Sequence, residues 1–246
     1  MQINNKSLKK GGVIKVISFY EIYKQAVALF DDPKITEAYD FNKIKFAKMM
    51  YPFLNSSLSL FTNPSIIGMM LVDYEEPLGL MEVFDADGLT NTFDLSLNPS
   101  ENDMLEFKED GKIVVGEYDA NSKKVTFPNV IEVGKTYSVE CYKCGYFKTD
   151  LCITGNKITD ADIKNKTIGI LSRLLLLSWG EKTKNFLLDI ENVLTDTDFN
   201  IHPASSALKS KIEFVSQLNS GVYQLQNKLA HIIRFAKSAD WGRRYN

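Results

Sequence analysis

From Leu208 to Ala236, apolar residues return every three or four positions: Leu208, Ile212, Val215, Leu218, Val222, Leu225, Leu229, Ile232 and Ala236. That spacing lines them along one face of an α-helix. Pro203 is a good first-turn residue, and at 1.5 Å per residue the helix spans roughly 50 Å. The stripe is close to a heptad seam, interrupted by Gly221. So long an apolar face must be covered, either by helices of the same chain or by another copy.

Other helical patterns supply candidates for that cover. One starts near Ser18, with Tyr20, Tyr23, Val27 and Phe30 at helical spacing, and is expected to stop at Asp31, Asp32 and Pro33. A second is expected from about Tyr39 to Leu54, with Phe41, Ile44, Met49 and Phe53 on one face. Neither is long enough to be stable alone. A third is expected to open at an N-cap, Thr159, with Asp162 three residues on, and to end near Gly180. The segment EKTKNFLLDIENVL follows, then the break TDTDFNIHPAS.

Between these helical stretches the texture changes. Pro77, DADG, NPSEND, EDGK, DANSKK and EVGK punctuate short apolar runs. NTFDLSL alternates, with Phe93, Leu95 and Leu97 on one face, and KKVTF and KTYSVEC do likewise. Turns this frequent predict an antiparallel sandwich or barrel-like module. The expected class is therefore α+β. A helical domain is built from residues 1–65 and 149–246, and a β module is inserted at 66–148. With 246 residues, 44% of them hydrophobic and 24% charged, the chain has the profile of a folded protein.

Charge and motifs remove many functions. The net charge is −2, from 29 basic and 31 acidic residues, which gives no general pull toward nucleic acid or anionic lipid. The lysine-rich start lacks the apolar core of a secretory signal. The most apolar run, IGILSRLLLLSW, is too short for a membrane span and contains Arg173. No P-loop, dinucleotide fingerprint, nucleophile elbow or H-E-x-x-H occurs.

The three cysteines, Cys141, Cys144 and Cys152, all lie in SVECYKCGYFKTDLC. A C-x-x-C pair is read as a zinc site, a redox site or neither. Structural zinc needs four ligands, and the two histidines, His202 and His231, lie far downstream. A redox pair normally caps a helix, whereas this one ends an alternating run. Small apolar fillers at a strand end are the favoured reading. DADG misses the calcium-loop spacing and reads as a turn. The pairs Glu75–Glu76 and Glu109–Asp110 stand beside turns, as solvated charges do. No catalytic, cofactor-binding or metal-binding residue is expected. Trp241, Arg243, Arg244 and Tyr245 at the chain end are of types enriched at binding hot spots, and form a candidate subunit interface.

NTFDLSLNP, DMLEFKEDGK, KKVTFPN and GKTYSVECYKCGYF resemble the β insert of structural proteins of tailed bacteriophages. LLDIENVLTDTDFNIHPASSALKSKIEFVSQLNSGVYQLQNKLAHIIRFA is similar to the helical end of phage neck, or head-to-tail connector, proteins. The resemblance implies a non-enzymatic virion subunit, assembled in the host cytoplasm. It implies a homo-oligomeric ring joining portal to tail, with portal and neck or tail proteins as partners. DNA is then met only in passage through the lumen, and no membrane is involved. The alternative expectation is a baseplate- or tail-associated module whose β domain recognises a protein or glycan.

Overall fold

A computed structural model describes residues 15–29, 33–61, 73–85, 87–128, 132–149, 160–196 and 204–243. The first regular element is a strand: β1 (Lys15–Ser18) precedes α1 (Phe19–Val27), α2 (Pro33–Phe41) and α3 (Lys43–Ser57). Nine strands follow: β2 (Asp73–Glu75), β3 (Leu78–Phe84), β4 (Thr92–Asp94), β5 (Met104–Glu109), β6 (Lys112–Val114), β7 (Glu117–Asp119), β8 (Lys124–Thr126), β9 (Tyr137–Lys143) and β10 (Tyr146–Thr149). Two long helices close the order, α4 (Asp160–Asp196) and α5 (Ala204–Arg243). Helices and antiparallel sheets are both present, and the class is α+β.

Local chemistry sets the helix ends. Ser18 caps α1: its hydroxyl accepts from the Tyr20 backbone N–H, and its own N–H donates to the Glu21 carboxylate. This reciprocal capping box is worth about 1 kcal/mol. Glu21 also accepts from Lys164 at 2.8 Å, which ties α1 to α4. Pro33 begins α2 instead of merely stopping the helix before it, because a first-turn residue has no intrahelical N–H bond to lose. The helix expected over 39–54 is divided at Asn42, whose side chain accepts from Lys45 N–H and caps α3.

The run IGILSRLLLLSW owes its composition to burial on two sides. Ile168, Leu171 and Leu175 enter a core shared with α1, α3, β1 and β10. Ile163, Ile170, Leu174 and Leu177 enter another with Val215, Val222, Leu229 and Ile233 of α5. A helix apolar all round is a buried helix. Gly180 does not end α4, which runs unbroken to Asp196. A Cβ at Gly180 would sit 3.0 Å from Val215 Cγ2, so this glycine sets the close approach of α5. The seam read from the sequence is the contact face in part: Val215, Val222 and Leu229 are buried, whereas Ile212 is exposed. Thr159 and Pro203 lie outside the described residues.

The strands form three antiparallel sheets, in the orders β1-β10-β2, β3-β9-β5-β6 and β4-β8-β7. One face of the four-stranded sheet contributes Phe84, Phe107, Tyr137 and Val139 to a core with Leu95, Val125 and Phe127. The other face carries Met104 and Tyr142 into the helical core. KTYSVEC therefore does not alternate between buried and exposed: Tyr137, Ser138, Val139, Cys141 and Tyr142 are all buried. A strand covered on both faces loses the period-2 signal.

The β9–β10 ribbon turns at Gly145. β9 pairs with β3 and β5, then β10 pairs with β2 and β1. Gly145 has φ +82°, and its carbonyl accepts from Phe19 N–H at 3.1 Å. An added Cβ would lie 2.3 Å from the Glu75 carbonyl oxygen. Backbone blocks that atom, so the neighbour cannot simply rotate away. Gly145→Ala is expected to cost about 2–4 kcal/mol, from the left-handed backbone and the overlap together. Denaturant unfolding checks this, and a variant within 0.5 kcal/mol of wild type (roughly the effect of an ordinary surface change) contradicts the account.

Candidate functional site

The densest arrangement of described charge lies where α3 meets the four-stranded sheet. Glu106 and Glu140 stand directly opposite each other on β5 and β9. Like charges so placed repel, and lysines neutralise them. Lys108 Nζ lies 2.9 Å from Glu106 Oε1 and 2.6 Å from Glu140 Oε2. Lys48, from α3, reaches Glu140 Oε1 at 2.6 Å and stands 5.6 Å over the Tyr142 ring. Burial pushes the Glu140 carboxyl up, but hydrogen bonds from Lys108 and Lys48 outweigh it and hold the group below its ordinary value of 4.5. Burial pushes Lys108 down, and its bonds to Glu140 and Glu106 more than reverse that. Both carboxylates are thus committed to ion pairs, the opposite of a carboxylate pair poised for proton transfer. Neither lines the α1–α4–α5 groove or the α3–α4 groove.

Two grooves do indent the helical part. One, of about 390 Å³, lies between α1, α4 and α5 and is lined by Gln25, Lys166, Arg173, Lys228 and Ile232 among others. The other, of about 640 Å³, lies between α3 and α4 and is lined by Met49, Phe53, Trp179 and Lys182 among others. Neither is lined by a cysteine or histidine.

The cysteines occupy different surroundings despite their spacing. Cys141 faces Leu80 and Leu105 across the sheet, and Cys144 sits in the helical core near Gly145. Both thiols are free and buried. Burial pushes the Cys141 thiol up, and that of Cys144 up to about 12, where Asp103 adds repulsion. A thiol so shifted carries little thiolate at neutral pH and is a poor nucleophile. No group of three or more His, Cys, Asp or Glu side chains that could hold a metal ion occurs among the described residues.

The other residues singled out in the sequence fall apart in space or into structural roles. His231 is exposed on α5. Asp87 of DADG accepts from Leu89 and Thr90 N–H, while Gly88 takes φ +74°, which makes a turn. Glu75 accepts from the Tyr146 hydroxyl, Glu109 pairs with Lys135, and Asp110 accepts from Thr136 N–H. Cys152, His202, Arg244 and Tyr245 lie outside the described residues, as do the side chains of Trp241 and Arg243.

What sequence reasoning missed is the apolar surface of the strand region. Leu78, Met81 and Val83 on β3 are exposed, as are Ile113 and Val115 beside the opposite edge. The helices add Phe41, Tyr223 and Phe235. A signal was present in LGLMEVF, where Met81 and Val83 share one strand face and Leu80, Glu82 and Phe84 the other. No helix among the described residues is long and apolar enough to cross a membrane. Comparison with protein-family models, with curated proteins and with solved structures finds no match.

Two measurements probe this chemistry. Glu140→Gln is expected to cost about 1–3 kcal/mol at pH 7, because Lys108 and Lys48 lose a charged acceptor. A depressed carboxyl stabilises the fold above its unfolded value and ceases to as pH falls through its folded value. The gap between wild type and Glu140→Gln should therefore be constant above about pH 5 and close below it. A gap that widens in acid contradicts the ion pair. In native protein, Cys141 and Cys144 should resist iodoacetamide at pH 7.5 and react on unfolding, as read by peptide mass spectrometry. Rapid native labelling of either refutes its burial.

Proposed function

We propose that the chain is a non-enzymatic structural subunit of a tailed-phage virion, a neck or head-to-tail connector protein that works as one copy in a ring. In this reading, α4 and α5 form the helical body with α1–α3. The strand region is an inserted sandwich-like module that decorates it. The carrying observation is the amount of large apolar surface left in solvent. Phe41 is 79% exposed and Tyr223 60% exposed, on helices from opposite ends of the chain. Exposed apolar surface is where other molecules dock when it is gathered into a patch, and neighbouring copies would cover it. The chemistry of the interior is consistent: its carboxylates end in ion pairs and its described thiols are held protonated.

The test is the assembly state of the full chain, by native mass spectrometry, together with electron microscopy of purified virions from the phage that encodes it. The expected result is a closed ring of copies and a matching layer between portal and tail. A protein that stays monomeric at tens of micromolar and is absent from virions overturns the reading.

A further inference from the structure

The four-stranded sheet ends in two open edges. In the order β3-β9-β5-β6, β3 forms one edge over seven residues and β6 the other. Among the described residues, no strand pairs with the outer side of either. Natural edges are usually guarded by an outward charge, a proline or a bulge. On β3 the one charge, Glu82, is turned to accept from the backbone N–H groups of Ser96 and Leu97. Met81 and Val83 stand out on the opposite face instead, Met81 at 63% exposure.

The two edges match each other. The sheet is antiparallel throughout and even in strand number, so β3 and β6 run in opposite directions. A β6 from another copy, related by simple advance along the sheet, therefore meets β3 antiparallel and continues the alternation. Side chains also fall into line. One row crosses the sheet as Val83, Ser138, Lys108 and Ile113, with an exposed apolar residue at each end. Extension would bring Ile113 of the next copy against Val83 or Met81, a favourable cross-strand pair.

Charge follows the same polarity. No Lys or Arg occurs between Lys48 and Lys108 in the sequence. The β2–β3 edge presents exposed Glu75, Glu76 and Asp85. At the other edge Glu109 is held by Lys135 and Asp110 by Thr136 N–H. Lys112 there is exposed and forms no ion pair among the described residues.

We infer that a second copy of this chain docks its β6 edge on the β3 edge of the first, head to tail, making one continuous antiparallel sheet. Such a heterologous contact closes into a ring where the rotation permits and otherwise grows as a filament. The inference rests on the reading of the chain as a self-associating subunit and names the surface that does it.

Single lysine substitutions separate the edges. Met81→Lys disables the β3 edge and Ile113→Lys the β6 edge, while both side chains already stand in solvent. Each variant should unfold at the wild-type midpoint. Val83→Ser or Val115→Ser replaces a variant that does not. Native mass spectrometry of the full chain should show wild type forming assemblies larger than a dimer. Each variant alone should be monomeric, its association weakened about tenfold or more. An equimolar mixture should form a 1:1 dimer and stop, since one intact β6 edge meets one intact β3 edge. A mixture that stays monomeric while wild type assembles overturns the inference. So does a dimer abolished by Met81→Lys but not by Ile113→Lys, which is a two-fold contact of β3 with itself. Wild-type rings unaffected by either change overturn this interface and leave the subunit reading standing. A monomeric wild type removes both.

Discussion

The fold depends on the backbone of Gly145. Its left-handed φ lets one long ribbon, β3–β9 continuing as β2–β10, bend between two sheets without losing its pairing. Its carbonyl receives the first N–H of α1, at Phe19, one of the donors that a helix cannot satisfy internally. The Phe19 ring then packs on Phe147, centroids 4.6 Å apart. One residue thus fixes where the strands turn, where the first helix begins and how the two are stacked. The extended backbone of β1 follows, because Ile17 and Ser18 must lie against Phe147 and Tyr146 for Phe19 to reach that carbonyl.

From this joint comes the two-sided burial of β9. Its inner face joins the aromatic core of Phe107, Phe127 and Tyr137. Its outer face is roofed at one end by the helices, through Tyr142, and at the other end Ser138 is buried as well. Glu140 lies at the border. A carboxylate there is partly desolvated, and Lys108 and Lys48, arriving from a strand and a helix, favour its ionised form. The pairing does little for stability beyond what an apolar contact would supply. It does fix α3 against one register of the sheet, since a slip of one residue would turn Glu140 to the other face.

Much of this order was legible, and the misses have physical causes. Turn residues such as Gly111, at φ +77°, and Asp87 act locally, so the strand-rich middle could be read from them. Ile113, Val125 and Phe127 report only their immediate surroundings in the same way. β1 was hidden because four residues carry too little pattern to outweigh a polar lead-in. Gly180 was read as a helix end because its missing side chain looks the same whether it frees the backbone or admits Val215. Pro33 has the same ambiguity between stop and start. Of the candidate site, Cys141 and Cys144 were read at a strand end and lie at the end of β9 and just past it, whereas the open edges were not foreseen. An edge is defined by which strands fail to pair, and pairing is not a local property of the sequence.

The long helices bear on what such a chain is for. α4 is covered on two sides, by the helical core and by α5. α5 is covered on one, through Val215, Val222, Leu229 and Ile233. Its other faces carry Phe214, Tyr223 and Phe235 into solvent. Over residues 212–235 the described side chains of this helix bury one stripe and leave the flanks exposed. An enzyme concentrates its unsatisfied groups in a pocket, as polar atoms and displaced pKa values awaiting a substrate. Among the described residues the exposed large side chains include apolar ones spread over helix flanks and a strand edge, and the displaced titrations are those of groups already paired or sealed. Surface of that kind is satisfied by large, shape-matched partners, which is why the reading proposed is assembly.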